Sequence, residues 1–309
     1  KRKGLDKEEE EKPKAAYFAG CTAGFLFPRV ARSAVEVLQY NQVGVYIPPQ
    51  NCCGMPTLLE GDREKTIQGA KFNLESLLKT IQKDFDLICS CPTCGYLLKF
   101  LIQEKAVYSR AYQEAVGANK NEIKVPKKGH RDPEFIRLNK SIYGQILKDD
   151  GYFSELDPME RIALSSHVKD MGEYLHDLDR QGLLNLPTGK IEKRMIYFAP
   201  CHQREQNIDS PYLHILAKIT HPKIEKVGGS LDCCGMGGNL GMKKNFYPAS
   251  LELGKPLLKK IQAAEPEAIV TDCLSCRLQF EHLLPYPVYH PLQILSQAYR
   301  KDNNLDLPE

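Results

Sequence analysis

Ten of the eleven cysteines fall into two sets of five with one grammar: a lone cysteine, an adjacent pair, then CxxC. The first set is Cys21, Cys52, Cys53, Cys91 and Cys94; the second is Cys201, Cys233, Cys234, Cys273 and Cys276. Thirty residues separate the lone cysteine from the pair in the first set and 31 in the second; 37 and then 38 separate the pair from CxxC. The offset between copies drifts only from 180 to 182. Flanking residues repeat too: YFAGC at 17–21 returns as YFAPC at 197–201, CCGM recurs whole, and CPTC at 91–94 becomes CLSC at 273–276. Self-similarity at this period means two pseudo-equivalent halves, not a solenoid.

Hydrophobic pattern places these cysteines on structure. AAYFAG (15–20), VGVYIP (43–48) and FDLICS (85–90) read as strands, and PRVARSAVEVLQY (28–40) has helical spacing at Val30, Ala34, Val37 and Leu38. Residues 62–82 read as a helix capped by Asp62. The second half repeats the alternation with MIYFAP (195–200), a helix near 203–219, IEKV (224–227), a helix at 248–263 and EAIVTD (267–272). Strand–helix–strand alternation predicts an α/β fold: two pseudo-equivalent halves, each a small parallel sheet covered by helices. Every cysteine group lies just past a strand, at the carboxyl end where open α/β sheets bind ligands. The predicted organisation is a charged lead-in over 1–14, a first half over 15–104, a connector over 105–190 and a second half over 191–309. The connector shows no strand signal. It reads as helical, with stretches at 134–148 and 167–185 around a basic loop, KVPKKGHRDP, at 124–133.

Composition limits the function classes. The chain has 309 residues, of which 42% are hydrophobic and 26% charged, enough for a real core. A net charge of +3 is too small to argue for nucleic acid. No apolar run approaches the length of a membrane span, and no secretory signal is visible. The sequence opens at Lys1 with KRKGLDKEEEEKPK, which reads as a processed chain or a fragment with a solvated lead-in. Cysteine-rich chains without an export signal are expected in a reducing compartment, where clustered thiols bind metal or carry electrons. The expected location is therefore cytoplasmic, with a peripheral position on the inner face of the cell membrane as the variant.

Five thiols per half exceed what ordinary sites require. A structural zinc ion takes four ligands, and a cubane [4Fe–4S] cluster takes four thiolates. Either one cysteine is a bystander, or the bound species has more coordination positions than a cubane. Adjacent cysteines on a tight turn suit the second option, because two sulfurs can reach two metal ions of one opened cluster. Gly54 and Gly235 follow the pairs, permit backbone that a β-carbon would resist, and let the chain approach a cofactor closely. Zinc at both sites and a dithiol redox pair remain alternatives.

The double C-x30-CCG…CxxC pattern resembles the CCG-domain (cysteine-rich domain) iron–sulfur proteins, a family that includes the B subunit of heterodisulfide reductase and the C subunit of anaerobic glycerol-3-phosphate dehydrogenase. The resemblance covers about 15–104 and 165–295. The second half is nearest the dehydrogenase type, through APCHQREQ, DCCGMGGNLGMKKNFYPAS, VTDCLSCRLQFEH and YHPLQIL. It implies a [4Fe–4S]-type cluster on each motif, noncubane where all five cysteines bind: Cys21, Cys52, Cys53, Cys91 and Cys94 for one, and Cys201, Cys233, Cys234, Cys273 and Cys276 for the other. The complete first set pulls towards the heterodisulfide reductase type. The ferredoxin-like CxxCxxCxxxCP region of the dehydrogenase subunits is not in this sequence.

The same resemblance implies an electron-transfer subunit of an anaerobic oxidoreductase complex. Flavin or ferredoxin-type subunits would supply electrons, and a membrane quinone, with a quinone-binding membrane subunit, would receive them. One alternative is a catalytic subunit that reduces a disulfide on the cluster; another is a zinc-stabilised, non-redox scaffold. No flavin or nucleotide fingerprint appears in the chain, since Gly237, Gly238 and Gly241 lack both G-x-G-x-x-G and Walker spacing. His202 is a candidate proton donor, set against a simple helix-start role. Lys243 and Lys244 are candidates to offset cluster charge, set against a solvated pair. Cys89 reads as a small buried residue, and His290 as structural.

Overall fold

The computed structural model describes residues 13–83, 85–127, 134–187 and 190–300. Residues 1–12 of the expected lead-in and 128–133 of the expected basic loop lie outside the described residues.

The first half runs β1 (Lys14–Phe18), α1 (Pro28–Tyr40), β2 (Gly44–Tyr46), α2 (Met55–Leu59), α3 (Arg63–Ile81), β3 (Asp86–Cys89) and α4 (Pro92–Tyr96). An excursion follows: α5 (Arg110–Ala115), an antiparallel hairpin of β4 (Glu122–Pro126) and β5 (Phe135–Asn139), and α6 (Lys140–Tyr143). The chain returns through α7 (Pro158–His167), β6 (Val168–Asp170) and α8 (Met171–Arg180). The second half runs β7 (Ile191–Glu192), β8 (Met195–Phe198), α9 (Cys201–Arg204), α10 (Pro211–Leu216), β9 (Thr220–His221), β10 (Glu225–Val227) and α11 (Tyr247–Ala264). It closes with β11 (Ala268–Val270), α12 (Leu274–Leu283), β12 (Val288–Tyr289) and α13 (Pro291–Tyr299).

The duplication read from the cysteines is a duplication of topology. One sheet has the order β2-β1-β3-β6 and the other β10-β8-β11-β12, and every pairing in both is parallel. Parallel neighbours require crossovers, and helices such as α1, α3 and α11 supply them. Successive side chains of a strand face opposite sides of the sheet, and both faces here are apolar. Ala16, Phe18 and Leu87 face an outer core with Leu74 and Leu77 of α3. Ala15, Tyr17 and Ile88 face inward, into one continuous core with Met195, Tyr197, Ala268 and Val270 of the second sheet. Helices α1, α8, α10 and α13 contribute Val37, Leu175, Ile215 and Leu295 to that shared core. The two halves are thus held as one body by the inner faces of both sheets.

Local signals behave as the sequence predicts in the long elements. Helix α1 spans 28–40 with Pro28 at its first position and buries Val30, Ala34, Val37 and Leu38. Asp62 caps α3 by accepting a hydrogen bond from Lys65 N at 3.2 Å.

Three expectations are corrected. The helix expected at 134–148 is β5 followed by the short α6; Phe135–Asn139 pairs residue for residue with β4, and Asn139 then caps α6. The stretch 167–185 includes an edge strand, β6, which pairs with β3 and precedes α8. The helix expected near 203–219 is two pieces, α9 and α10, because Asn207 and Asp209 adopt positive φ and Pro211 restarts the helix. No helix among the described residues is long and apolar enough to cross a membrane.

Candidate metal centres

The carboxyl ends of β1, β2 and β3 deliver the first five cysteines. Cys21 follows β1 by three residues, Cys52 and Cys53 lie in the loop beyond β2, Cys91 is the N-cap of α4, and Cys94 lies within it. The second half places Cys201 at the start of α9, Cys233 and Cys234 in the loop beyond β10, Cys273 at the N-cap of α12 and Cys276 within it. All eleven cysteines are free thiols, and Cys53, Cys91, Cys94, Cys234, Cys273 and Cys276 are buried.

The sulfurs meet in pairs. Cys21 Sγ lies 3.2 Å from Cys52 Sγ, and Cys276 Sγ donates to Cys234 Sγ at 2.8 Å. Hydrogen bonds from Cys52, then from Cys94, pull the Cys53 thiol down to about 5. The equivalent Cys234 is held well below its ordinary value by Cys233, then by Cys276. The donors move the other way: Cys94 is raised by bonding to Cys53, and Cys276 by bonding to Cys234. Cys91 of the first half is lowered as well, chiefly by its hydrogen bond from Cys94. Among the described residues, no group of three His, Cys, Asp or Glu side chains is arranged about a single metal ion.

Glycines fix the geometry of the loops. Gly54 and Gly235 adopt φ of +101° and +91°, the left-handed backbone that glycine tolerates. Gly235 N donates to Cys233 Sγ at 3.3 Å. Gly20, which no sequence motif singles out, lies so close to the first site that a β-carbon there would stand 2.8 Å from Cys94 Sγ. Side chains from the covering helices hold the CC loops. Asn73 of α3 accepts from Asn51 N at 2.8 Å and donates to Cys52 O at 3.0 Å. Ser250 of α11 donates to Gly235 O at 2.8 Å. Asn73 is visible in the sequence only as a polar residue on the apolar face of α3, and Ser250 carries no such signal.

His202 joins the two sites. Its Nδ1 lies 2.9 Å from Oγ1 of Thr93, inside the first CPTC, and its ring stacks on Tyr96 at 5.2 Å. Burial lowers its affinity for protons, so it sits there neutral. Alongside, Gln206 donates to Pro92 O at 3.1 Å. Lys243 is ion-paired with Glu60, just past α2 of the first half, and Asn239 donates to the same carboxylate. Lys244 is exposed. Cys89 is fully buried in the outer core. His290 caps α13, accepting from Leu292 N at 3.1 Å through Nδ1 and donating to Ser90 O at 3.1 Å through Nε2. Burial pushes His290 down to about 3.

Two parallel sheets of one order, each gathering a lone cysteine, a CC pair and a CxxC at its carboxyl edge, define a duplicated cysteine-rich fold. The chain belongs to the CCG cysteine-rich domain family, whose sequence profile matches it twice, over residues 15–99 and 195–281. It is 25% identical over 293 residues to the C subunit of the anaerobic glycerol-3-phosphate dehydrogenase of Escherichia coli (strain K12), covering 94% of this chain and 60% of that protein. It is 35% identical over 288 residues to an uncharacterized iron-sulfur protein of Methanococcus maripaludis, covering 92% of this chain and 44% of that protein. It is 20% identical over 297 residues to lactate utilization protein A 2 of Bacillus cereus, covering 93% of this chain and all of that protein. The chain thus spans 60% of the length of the dehydrogenase subunit and less than half that of the Methanococcus protein.

Proposed function

We propose that this chain is the iron–sulfur electron-transfer subunit of an oxidoreductase complex. Cys21, Cys52, Cys53, Cys91 and Cys94 hold one [4Fe–4S]-type cluster, and Cys201, Cys233, Cys234, Cys273 and Cys276 hold the other. The observation that carries this reading is five free thiols per half, drawn from three distant segments to one sheet edge. The donor set fits such a group. Thiolate ligands suit soft metals and iron–sulfur clusters, and five exceed the four of a closed zinc site or a cubane. An opened, noncubane geometry accommodates the fifth sulfur.

Bound there, iron–sulfur clusters supply one-electron carriers whose potentials follow sulfur hydrogen bonding and exposure. The chain's own residues set both. Gly20 and Gly235 bring backbone against the sulfurs, and Asn73 and Ser250 fix the loops that carry the CC pairs. His202 is a positioning residue between the sites, and Lys243 ties the second glycine-rich loop to the first half. Electrons enter from a flavin or ferredoxin-type partner and leave to a membrane quinone. The names of the relatives, a dehydrogenase subunit, an iron-sulfur protein and a lactate utilization protein, support the oxidoreductase-subunit part of this reading. A second reading has the chain reduce a disulfide at the clusters; the completeness of the first cysteine set favours it.

Metal analysis with EPR of anaerobically purified protein tests the class. About four irons per site are expected; two zincs per chain without visible absorption refute the reading. Cys234→Ser should abolish the second site's EPR signal and spare the first. Assays with a menaquinone analogue and a small disulfide separate the acceptors, since turnover with the disulfide alone rules out the quinone.

A further inference from the structure

A cavity of about 840 Å³ opens where the turn after Cys21 meets the helix that carries Cys276. This is within the range of small-molecule sites. Aromatic Phe27, Tyr286 and Tyr289 line it, with the exposed Leu26 beside them. Two guanidiniums, Arg29 and Arg277, line it against one carboxylate, Glu281, leaving one positive charge in excess. Arg277 is already oriented. It pairs with Glu281 at 2.7 Å, donates to Gln293 at 2.8 Å and lies 4.5 Å from the Phe27 ring centre.

The pseudo-symmetry of the molecule sets this open space beside a closed counterpart. The cysteine alignment pairs Arg277 with Gly95, each following the last cysteine of its CxxC, and pairs Leu26 with Gln206, each five residues past a lone cysteine. At the Gly95 site the contact is shut. A β-carbon on Gly95 would lie 3.1 Å from Gln206 Nε2, and Gln206 is buried against Pro92 O. At the Arg277 site Leu26 stands 62% exposed and the walls part. One copy of the duplicated interface is packed closed; the other is open, with its aromatics and cations facing a void.

We propose that this cavity binds a flat, apolar small molecule whose oxygens accept hydrogen bonds from Arg29 and Arg277. Two sources share that chemistry, an aromatic carboxylate and a neutral quinone ring. A quinone here would give the acceptor of the electron-transfer reading its place and so rests on that reading, whereas an aromatic carboxylate would not; binding is measured on the oxidised protein with no electron donor, so its failure leaves the electron-transfer reading standing.

The test is calorimetric titration of the cluster-loaded protein with 2-naphthoate and, separately, with duroquinone. At least one should bind one-to-one with Kd below about 1 mM, and Leu26→Trp, which fills the mouth, should weaken it about tenfold or more. Naphthoate binding that weakens in Arg29→Gln, where the charge is lost but an N–H donor is kept, identifies an anion; duroquinone binding that survives Arg29→Gln but weakens in Arg29→Leu identifies a neutral carbonyl ligand, and binding indifferent to both variants overturns the role of Arg29. A diazirine derivative of the bound probe should label residues 26–29 or 284–289 by mass spectrometry, which does not rely on any variant folding. No binding by either probe, equal binding in wild type and Leu26→Trp, or labelling elsewhere overturns the proposal.

Discussion

Gly54 and Gly235 occupy the same place in the two CCG motifs, yet substitution should harm them unequally. Both have left-handed backbone, at φ +101° and +91°. An alanine at either pays the left-handed penalty of an L-residue, about 1–2 kcal/mol. At Gly54 that is nearly the whole cost, because the nearest atom to the new β-carbon is Thr66 Cγ2 at 3.5 Å, an ordinary contact. At Gly235 the β-carbon would land 2.2 Å from Ser250 O and 2.9 Å from Gly254 N, both backbone atoms of α11. No rotamer relieves a clash with backbone. Helix and loop must separate, which adds about 1–3 kcal/mol of overpacking strain and displaces the Ser250–Gly235 hydrogen bond. Gly54→Ala should therefore cost about 1–2 kcal/mol and retain both sites, whereas Gly235→Ala should cost about 2–5 kcal/mol and lose iron from the second site first. Urea denaturation with iron content and EPR on each variant measures both. Equal losses at the two positions, or a neutral Gly235→Ala, would show that α11 does not grip the CCG loop as argued.

Three further outcomes follow from named contacts. Asn73→Ala leaves Asn51 N and Cys52 O without their partner, at about 1–3 kcal/mol for unsatisfied buried groups, and should lower iron at the first site alone, read by EPR. Lys243→Gln removes an ion pair whose members are 41% and 37% exposed, so the stability change should stay within about 1 kcal/mol in urea titration; a larger loss would mean this bridge between the halves is structural. Burial raises the Asp170 carboxyl to about 7, so the folded chain prefers it protonated while the unfolded chain releases the proton near pH 3.9. Its contribution is full below about pH 4 and is lost as pH rises to about 7, so wild type should lose about 2 kcal/mol between pH 5.5 and 8 from this group. Asp170→Asn, which keeps an oxygen for Gly172 N, should flatten that slope; an unchanged slope refutes the assignment. His290 titrates with the opposite sign below pH 6.5 and is common to both proteins; Asp272, held well above its ordinary value by burial and then by the Asp170 charge, leaves a residual slope in the variant.

The cysteine grammar made the duplication legible because five cysteines keep their spacing in both halves while most residues between them differ. The strands at the cysteine edges were legible for a related reason: β1, β3, β8 and β11 are buried on both faces and read as short apolar runs. What the sequence hid was decided by tertiary partners. Strand β5 reads as helix until β4 pairs with it, and β6 is too short to be seen without β3 beside it. The contacts that hold the sites are hidden similarly. Asn73 and Ser250 act through loop atoms far away in sequence, and His202 acts on the other half of the molecule.

That last contact shows how the two halves work on each other. The strand after each CxxC excursion ends in a helix cap, Asp170 in the first half and His290 in the second, and both carry a capping box. The caps are equivalent, but their reach is not. His290 extends to Ser90, one residue before Cys91, so a second-half side chain braces the first site. His202 does the same at Thr93 from beside Cys201. Arg277, beside Cys276, reaches Phe27 of the turn after Cys21. Each cysteine edge is thus built on its own sheet and buttressed by the other half, across a core to which both sheets contribute. Neither half, cut free, would keep its sulfurs where the whole chain puts them. The duplication therefore serves the sites as a mutual scaffold, and the two copies of the contact have diverged in how they are packed, open at Arg277 and closed at Gly95.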